Sequence, residues 1–146
     1  MTTIVNDVSD VGIYNIVADQ GTTFIRQITY KNSSGTAINL GTGATAQMKV
    51  RKSYAARLNV AAYRDSAVLW LGTSGVTGSI TTALALTPAS GIINIKIPAS
   101  NMAATPAGIY DYDLEVTLGT DPGVGASGDV IKIIRGLFEV RQEITY

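Results

Sequence analysis

The chain has 146 residues, of which 46% are hydrophobic and 15% charged, and its eleven basic and eleven acidic residues give a formal net charge of zero. This length fits one domain over 1–146, and a neutral chain has no general field to favour nucleic acid or an anionic membrane. Without Cys and His, disulfides, thiolate chemistry and Ser-His-Asp or Cys-His mechanisms are excluded, and a zinc site loses its commonest ligands. We therefore expect no enzymatic activity, no catalytic residues, no cofactor and no bound metal.

The amino-terminal stretch MTTIVNDVSDVG lacks a basic region and an apolar run, so it does not have the pattern of a secretory signal. Nowhere do about eighteen apolar residues run together, so no transmembrane segment is expected. We expect the protein to be made in the cytoplasm. Residues 1–10 are a candidate flexible arm. Strands are predicted over 12–18 and 22–31, the second with Phe24, Ile28 and Tyr30 on one face.

The stretch ATAQMKVR at 44–51 alternates apolar and polar residues with a period of two, which predicts a half-buried strand. Residues 52–65 are ambiguous: 57–64 fits either a short helix or, as we expect, a strand. Further strands are predicted over 67–71 and 79–86.

Three features follow in the second half. Alternation predicts strands over 91–98 and 109–117, separated by one helical turn over 99–104 that Ser100 would cap and the following Pro-Ala-Gly would end. The Gly-rich stretch 118–129 then predicts a mobile hairpin loop. In the last stretch, 129–144, Ile131 and Phe138 lie on opposite parities, and Gly136 is the expected position of the bulge that absorbs the extra residue.

Short strands separated by turn signals at roughly eight to twelve residues are typical of an antiparallel β-sandwich or barrel. The sequence therefore predicts an all-β domain of about 7–9 short strands, with at most one short helical turn near 99–104.

The stretch YDYDLEV at 110–116 places Asp111, Asp113 and Glu115 at every second position, where they form either a metal or acid/base site or the solvated face of a strand. Successive carboxylates on one face are about 7 Å apart, too far to share a small ion unless other ligands converge. Cross-strand pairing with Lys132 and Arg135 is the favoured interpretation.

Two further groups are candidate partner contacts rather than chemical sites. The 118–129 loop lacks the Lys and helix of a phosphate loop and the spacing of a calcium loop. A basic cluster with nearby tyrosines fits a rim for protein contact better than a nucleic-acid patch. The candidate partner-contact residues are Arg51, Lys52, Tyr54, Arg57, Tyr63, Asp121 and Asp129.

The order of five segments resembles small phage virion proteins and the amino-terminal modules of phage baseplate and tail-fibre adaptor proteins. These segments are QGTTFIRQITYKNSSGTAINL (20–40), AQMKVRKSY (46–54), GIINIKIP (91–98), PAGIYDYDLEV (106–116) and RGLFEVRQEITY (135–146). The chain departs from the group at Asn39, where Asp is usual, and in a longer middle segment. The resemblance implies an immunoglobulin-like β-sandwich with a structural role and no catalytic residues.

The resulting hypothesis is a non-enzymatic virion component, an assembly or adaptor module on the tail or baseplate. Its expected partners are other virion proteins and further copies of itself, with no nucleic acid and no membrane. A capsid-exterior decoration (cement) protein is the alternative. A carbohydrate-binding β-sandwich, with Trp70, Tyr54 or Tyr63 as stacking platform, is more distant, because a lone Trp in a predicted strand is expected to belong to the core.

Overall fold

The computed structural model describes residues 2–5, 12–52, 67–73, 80 and 82–144. Over these residues the chain forms ten strands, one short helix and one 3-10 turn (Pro88–Ser90). In chain order the strands and the helix are β1 (Thr2–Val5), β2 (Gly12–Ile13), β3 (Ile16–Asp19), β4 (Phe24–Lys31), β5 (Thr45–Lys52), β6 (Ala67–Gly72), β7 (Leu84–Thr87), β8 (Ile92–Ile97), α1 (Ala99–Ala104), β9 (Gly108–Thr117) and β10 (Val130–Arg141).

The strands form two sheets, which confirms the prediction of an all-β sandwich. One sheet has the order β1-β4-β8-β7, and the other has the order β2-β10-β9-β5-β6 with β3 also paired to β10. In immunoglobulin lettering, β4, β8 and β7 take the places of strands B, E and D, and β10, β9, β5 and β6 those of G, F, C and C′. The chain therefore has the strand layout of a variable-type immunoglobulin domain.

The amino-terminal strands differ from the prediction in number and direction. Residues 2–5, expected in a flexible arm, form β1 and pair with β4, while the rest of that arm lies outside the described residues. The predicted strand over 12–18 is broken into β2 and β3 at Tyr14 and Asn15. The pairing of β1 with β4 and the pairings of β2 and β3 with β10 are parallel. The other five strand pairings described are antiparallel.

Alternation places one face of each long strand in a shared core, as predicted for β5, β8 and β9. The residues at even positions 46–50 and 110–116 are buried, as are Ile93, Ile95 and Ile97 of β8. Phe24, Ile28 and Tyr30 of β4 close the core from the opposite sheet. Hydrophobic burial, at about 25 cal/mol per Å² of apolar surface, is the main term that holds the two sheets together.

A tyrosine corner fixes the start of β9. The Tyr110 hydroxyl donates to the Pro106 carbonyl at 2.6 Å, four residues upstream. In antibody domains the second cysteine of the inter-sheet disulfide follows such a tyrosine by two residues. Here that position is Tyr112, whose ring packs edge-on against Phe138 with ring centroids 6.1 Å apart. An aromatic cluster, extended by Phe24 at 5.7 Å from Phe138, thus occupies the place of the disulfide.

The bulge in β10 lies at Ile133, not at Gly136 as predicted. The register with β9 shifts between Lys132 and Ile134, and Ile133 and Ile134 are both fully buried. Two consecutive isoleucines therefore enter the core, which reverses the parity before Arg135.

Gly136 has a different function, which is close approach of another strand. A Cβ there would collide with the Tyr14 carbonyl and would lie 2.8 Å from Asn15 Oδ1. That carbonyl accepts the Tyr112 hydroxyl, and Asn15 Oδ1 accepts the Leu137 amide at 3.0 Å. The break between β2 and β3 is thus held by two hydrogen bonds, one donated by the Tyr112 hydroxyl and one accepted by Asn15 Oδ1.

The Gln-Gly pair at 20–21 joins three chain segments. Gln20 Nε2 donates to the Thr105 carbonyl at 2.9 Å, and Gln20 Oε1 accepts the Glu143 amide at 3.2 Å. Gly21 adopts φ 79°, a conformation that other residues rarely take, and so turns the chain into β4. This pair, one of the features of the phage resemblance, has an architectural function.

Asn39 anchors the loop between β9 and β10. Its Oδ1 accepts the Gly41 amide at 2.8 Å, and its carbonyl accepts the Gly123 amide at 2.8 Å. Thr42 and Thr120 add a pair of reciprocal backbone bonds. The mobility expected for 118–129 stays a prediction, and these bonds tie the first half of the loop to the 39–42 segment.

Smaller differences concern α1 and the strand after the middle segment. Helix α1 confirms the predicted helical turn, but its N-cap is Pro98, not Ser100. Among the described residues of the strand predicted over 79–86, the structure has β7 and an isolated bridge from Ile80 to Leu71. The strand predicted over 57–64 lies outside the described residues. Across the described part of the chain, no helix has the length and hydrophobicity needed to span a bilayer.

Candidate functional site: the outer face of the six-stranded sheet

The outer face of the β10-β9-β5 region is a charged surface. Because Tyr112 and Leu114 point into the core, the three carboxylates of β9 point outward. Side chains of the two neighbouring strands flank them and enclose a shallow groove of about 270 Å³. The polar residues that line it are Gln47, Lys49, Arg51, Asp111, Asp113, Glu115, Lys132 and Arg135.

Cross-strand ion pairs occupy the carboxylates, as predicted for Lys132. Its Nζ lies 3.0 Å from Asp113 Oδ2 and 4.0 Å from Glu115 Oε1. Arg135 lies opposite Asp113 in the register but makes no ion pair within the described part of the chain. Since these charges are about one third exposed, the pairs stabilise the fold by no more than about 1 kcal/mol.

The charges of this face are close to balanced, and its acidic side chains are spread along one strand. No three acidic side chains among the described residues converge on one point where a metal ion could sit. The groove carries four basic and three acidic side chains, which leaves one net positive charge. A patch that binds phosphates needs a concentration of positive charge that this balance does not provide.

Trp70 lies at the C′ edge of this face, and the expectation that it belongs to the core is wrong. Its neighbours Leu69 and Leu71 are buried, so Trp70 points to the other side of β6 and is half-buried there. The Lys49 ammonium sits 4.3 Å from the ring centroid. This cation–π contact holds the ammonium against one face of the indole.

The residues predicted to contact a partner are not gathered in one place. Arg51 lines the groove and Lys52 follows it at the exposed end of β5. Asp121 and Asp129 lie in the loop at the opposite end of β9, about 20 Å along the strand at 3.4 Å per residue. Tyr54, Arg57 and Tyr63 lie outside the described residues. Whether any of them contacts a partner stays a prediction.

Sequence interpretation missed an exposed apolar cluster on the β2 and β3 side of the same face, which we call the apolar corner. It consists of Ile13 (72% exposed), Val17 (43%), Ile109 (60%) and Leu137 (45%). The signal that could have found the cluster is parity, because Leu137 alternates with the buried Phe138 and Val140.

The Asp19–Arg141 pair closes this side of the face. Arg141 Nε donates to Asp19 Oδ1 at 2.9 Å, and this contact raises the pKa of the guanidinium. Both side chains are more than half exposed, so the pair borders the apolar corner without burying charge.

The fold is similar to that of a domain from a phage protein. The N-terminal domain of phage TP901-1 ORF48 superposes with a TM-score of 0.50 at 9% identity, over 95% of this chain and 96% of that chain. Tim-1 and Tim-2 match at 13% identity with TM-scores of 0.34, over 91% and 94% of this chain and 96% and 97% of theirs, too weak to support any argument. No protein-family model matches the chain, and no curated protein matches it significantly. The similarity to the phage domain shows a shared fold.

Proposed function

We propose that this protein is a non-enzymatic structural component of a bacteriophage virion, an assembly or adaptor module of the tail or baseplate. The observation that carries the proposal is the fold similarity to a phage protein domain over nearly the whole of both chains. A fold does not by itself imply a function, so the proposal needs support from the residues.

That support comes from the residues on which the phage resemblance rests. Gln20, Tyr110 and Gly136 each make a contact that holds a turn, a loop or a strand within the fold. A family pattern made of such residues specifies an architecture, as expected for a module whose function is to be assembled with others.

Immunogold electron microscopy of particles of the encoding phage, with antibody against the recombinant protein, tests the proposal. Label at the tail end would support the tail or baseplate assignment. Label over the head would favour the capsid decoration protein instead. Particles that carry no label, and in which mass spectrometry finds no peptide of this chain, would refute the virion role.

A glycan array tests the more distant carbohydrate-binding alternative independently of particles. Saturable binding that is lost in Trp70→Ala would support it. We expect no such binding, because Lys49 already lies against one face of the indole.

A further inference from the structure

The apolar corner exposes four large aliphatic side chains to solvent. These four side chains, each at least 43% exposed, lie on one face: Leu137 on β10, Ile109 on β9, and Ile13 and Val17 on β2 and β3, which follow one another along the other side of β10. Leu137 is the diagonal cross-strand neighbour of the other three. Scattered single apolar residues on a surface are ordinary, but a contiguous group of them marks an interaction site.

Charges of opposite sign lie on either side of Leu137 along β10. Arg135 precedes it and Glu139 follows it on the same outer face, each two residues away. The strand alongside repeats this arrangement with apolar residues, because Ile13 pairs with Arg135 and Val17 pairs with Glu139. The pattern along the strand is therefore basic, apolar, acidic. When the same strand is laid antiparallel against a second copy, each basic residue faces an acidic one and the apolar residues face each other.

We propose that a second copy of this chain docks on the apolar corner, face to face, about a two-fold axis that crosses β10 at Leu137. This axis reverses the strand direction and keeps the order of strands across the sheet. It places Leu137 against Leu137 of the other copy, Arg135 against Glu139, and Ile13 against Val17. Ile109 falls opposite Asp113, whose charge is already paired with Lys132. Every contact except that of Leu137 occurs twice, as symmetry requires.

Charge complementarity selects both the partner and the axis. A two-fold axis along β10 would instead place Arg135 against Arg135 and Glu139 against Glu139, which is unfavourable. The crossing axis instead sets Arg135 against Glu139 twice, and its one like-charge contact is Asp111 against Asp111. A second copy therefore supplies the charge partners of Arg135 and Glu139 with residues that the chain already presents.

The size of the surface sets the strength of the dimer. Because β2 and β3 lie end to end beside β10, the corner is three strand positions wide. At about 4.8 Å between strands and about six residues of 3.3 Å each, it covers roughly 300 Å² on each copy. Stable interfaces bury about 800 Å² per partner, so the isolated dimer is expected to be weak, at micromolar or higher Kd. Asp111, which shares the row of Leu137, would also face its own symmetry mate. Multiple attachment in a larger assembly would strengthen such a contact.

Sedimentation equilibrium of the purified chain over the micromolar to millimolar range tests the inference. Arg135→Glu and Glu139→Arg should each weaken the dimer at least about tenfold, because every substitution sets like charges against each other twice. The double variant R135E/E139R should dimerise like the parent chain. An equimolar mixture of the two single variants should form the heterodimer, in which both charge pairs are restored.

The matched control is Val130→Glu, at an exposed apolar residue (61%) on β10 beyond the bulge, which should leave the dimer unchanged. Circular dichroism and thermal unfolding confirm that each variant is folded, and Leu137→Glu provides a further disruptive change on the axis. A chain that stays monomeric at millimolar concentration would overturn the inference. So would a dimer that tolerates R135E and L137E, or one that the mixture of single variants does not restore. The test needs only the isolated protein, so its result does not depend on the virion proposal.

Discussion

Removing the hydroxyl of Tyr112 should cost more stability than removing that of Tyr110, although the two substitutions are chemically identical. Both residues lie on β9, point into the core and are no more than 6% exposed. Their hydroxyls donate to different acceptors: Tyr110 to the Pro106 carbonyl, and Tyr112 to the Tyr14 carbonyl at the break between β2 and β3. Tyr110→Phe is therefore the matched control for Tyr112→Phe.

The difference follows from what happens to each acceptor. Pro106 is exposed, so its carbonyl can take a water molecule in Tyr110→Phe, and the loss should be about 1 kcal/mol or less. The Tyr14 carbonyl is pressed against Gly136 and would lose its hydroxyl partner inside the sheet edge, at a cost of about 2 kcal/mol. For a domain of this size, 1 kcal/mol lowers Tm by roughly 3–4 °C, so we expect a loss of about 6–8 °C for Tyr112→Phe.

Urea unfolding followed by tryptophan fluorescence, together with scanning calorimetry, measures both losses. The slope of the free energy of unfolding against urea should stay constant, since neither change alters the surface exposed on unfolding. Equal losses for the two variants, or a smaller loss for Tyr112→Phe, would show that the Tyr14 carbonyl is not the critical acceptor.

Four further outcomes are expected. Burial raises the pKa of Tyr112, so the native state keeps this proton after the unfolded chain has lost it; stability should fall as the pH rises above about 10, by up to about 1.4 kcal/mol per pH unit, and Tyr112→Phe should flatten that fall in alkaline urea titrations. Asn39→Asp should leave the midpoint of urea unfolding nearly unchanged because either side chain offers the oxygen that accepts the Gly41 amide, whereas Asn39→Ala should cost about 1 kcal/mol; equal effects would argue against this cap. Gln20→Ala should speed hydrogen exchange at the Glu143 amide while exchange in the middle of β9 is unchanged, and uniform acceleration would indicate global destabilisation instead. Lys132→Ala should lower the free energy of unfolding by less than about 1 kcal/mol at low salt, and by less still in high salt. A larger loss would mean that the ion pairs of Lys132 contribute more than exposed pairs ordinarily do.

Much of the fold follows from alternation along single strands. The strands β5, β8 and β9 are visible in the sequence because burial on one face leaves a period of two. The helical turn at 99–104 is visible because the following Pro-Ala-Gly ends it. The pairing of β1, β2 and β3 is not visible, because parallel partners are set by contacts between residues far apart in sequence. Tyr14 and Asn15 break that edge through side-chain hydrogen bonds to β9 and β10, which no local pattern announces.

The outer face is harder to predict because the contacts of its side chains depend on which residues of neighbouring strands lie beside them. Pairing of Lys132 with Asp113 follows from hairpin register, and it was predictable for that reason. The sequence predicts Trp70 in the core, whereas the structure places it on the outer face beside Lys49, its partner in the register of β5 and β6. The bulge was assigned to Gly136 from the flexibility of glycine, whereas two adjacent isoleucines, Ile133 and Ile134, were the stronger signal for two inward side chains in succession.

The bulge at Ile133 gives β10 one position at which its length can change. Deleting a residue elsewhere within the strand would shift every following side chain by one, and would turn Arg135, Leu137 and Glu139 inward while Phe138 and Val140 faced solvent. Deleting Ile133 itself would leave a regular ladder with β9 and would keep both ends of the strand on their present faces. Homologous chains that differ by one residue in this strand can therefore be aligned by placing the gap at 133, with the outward pattern after it intact.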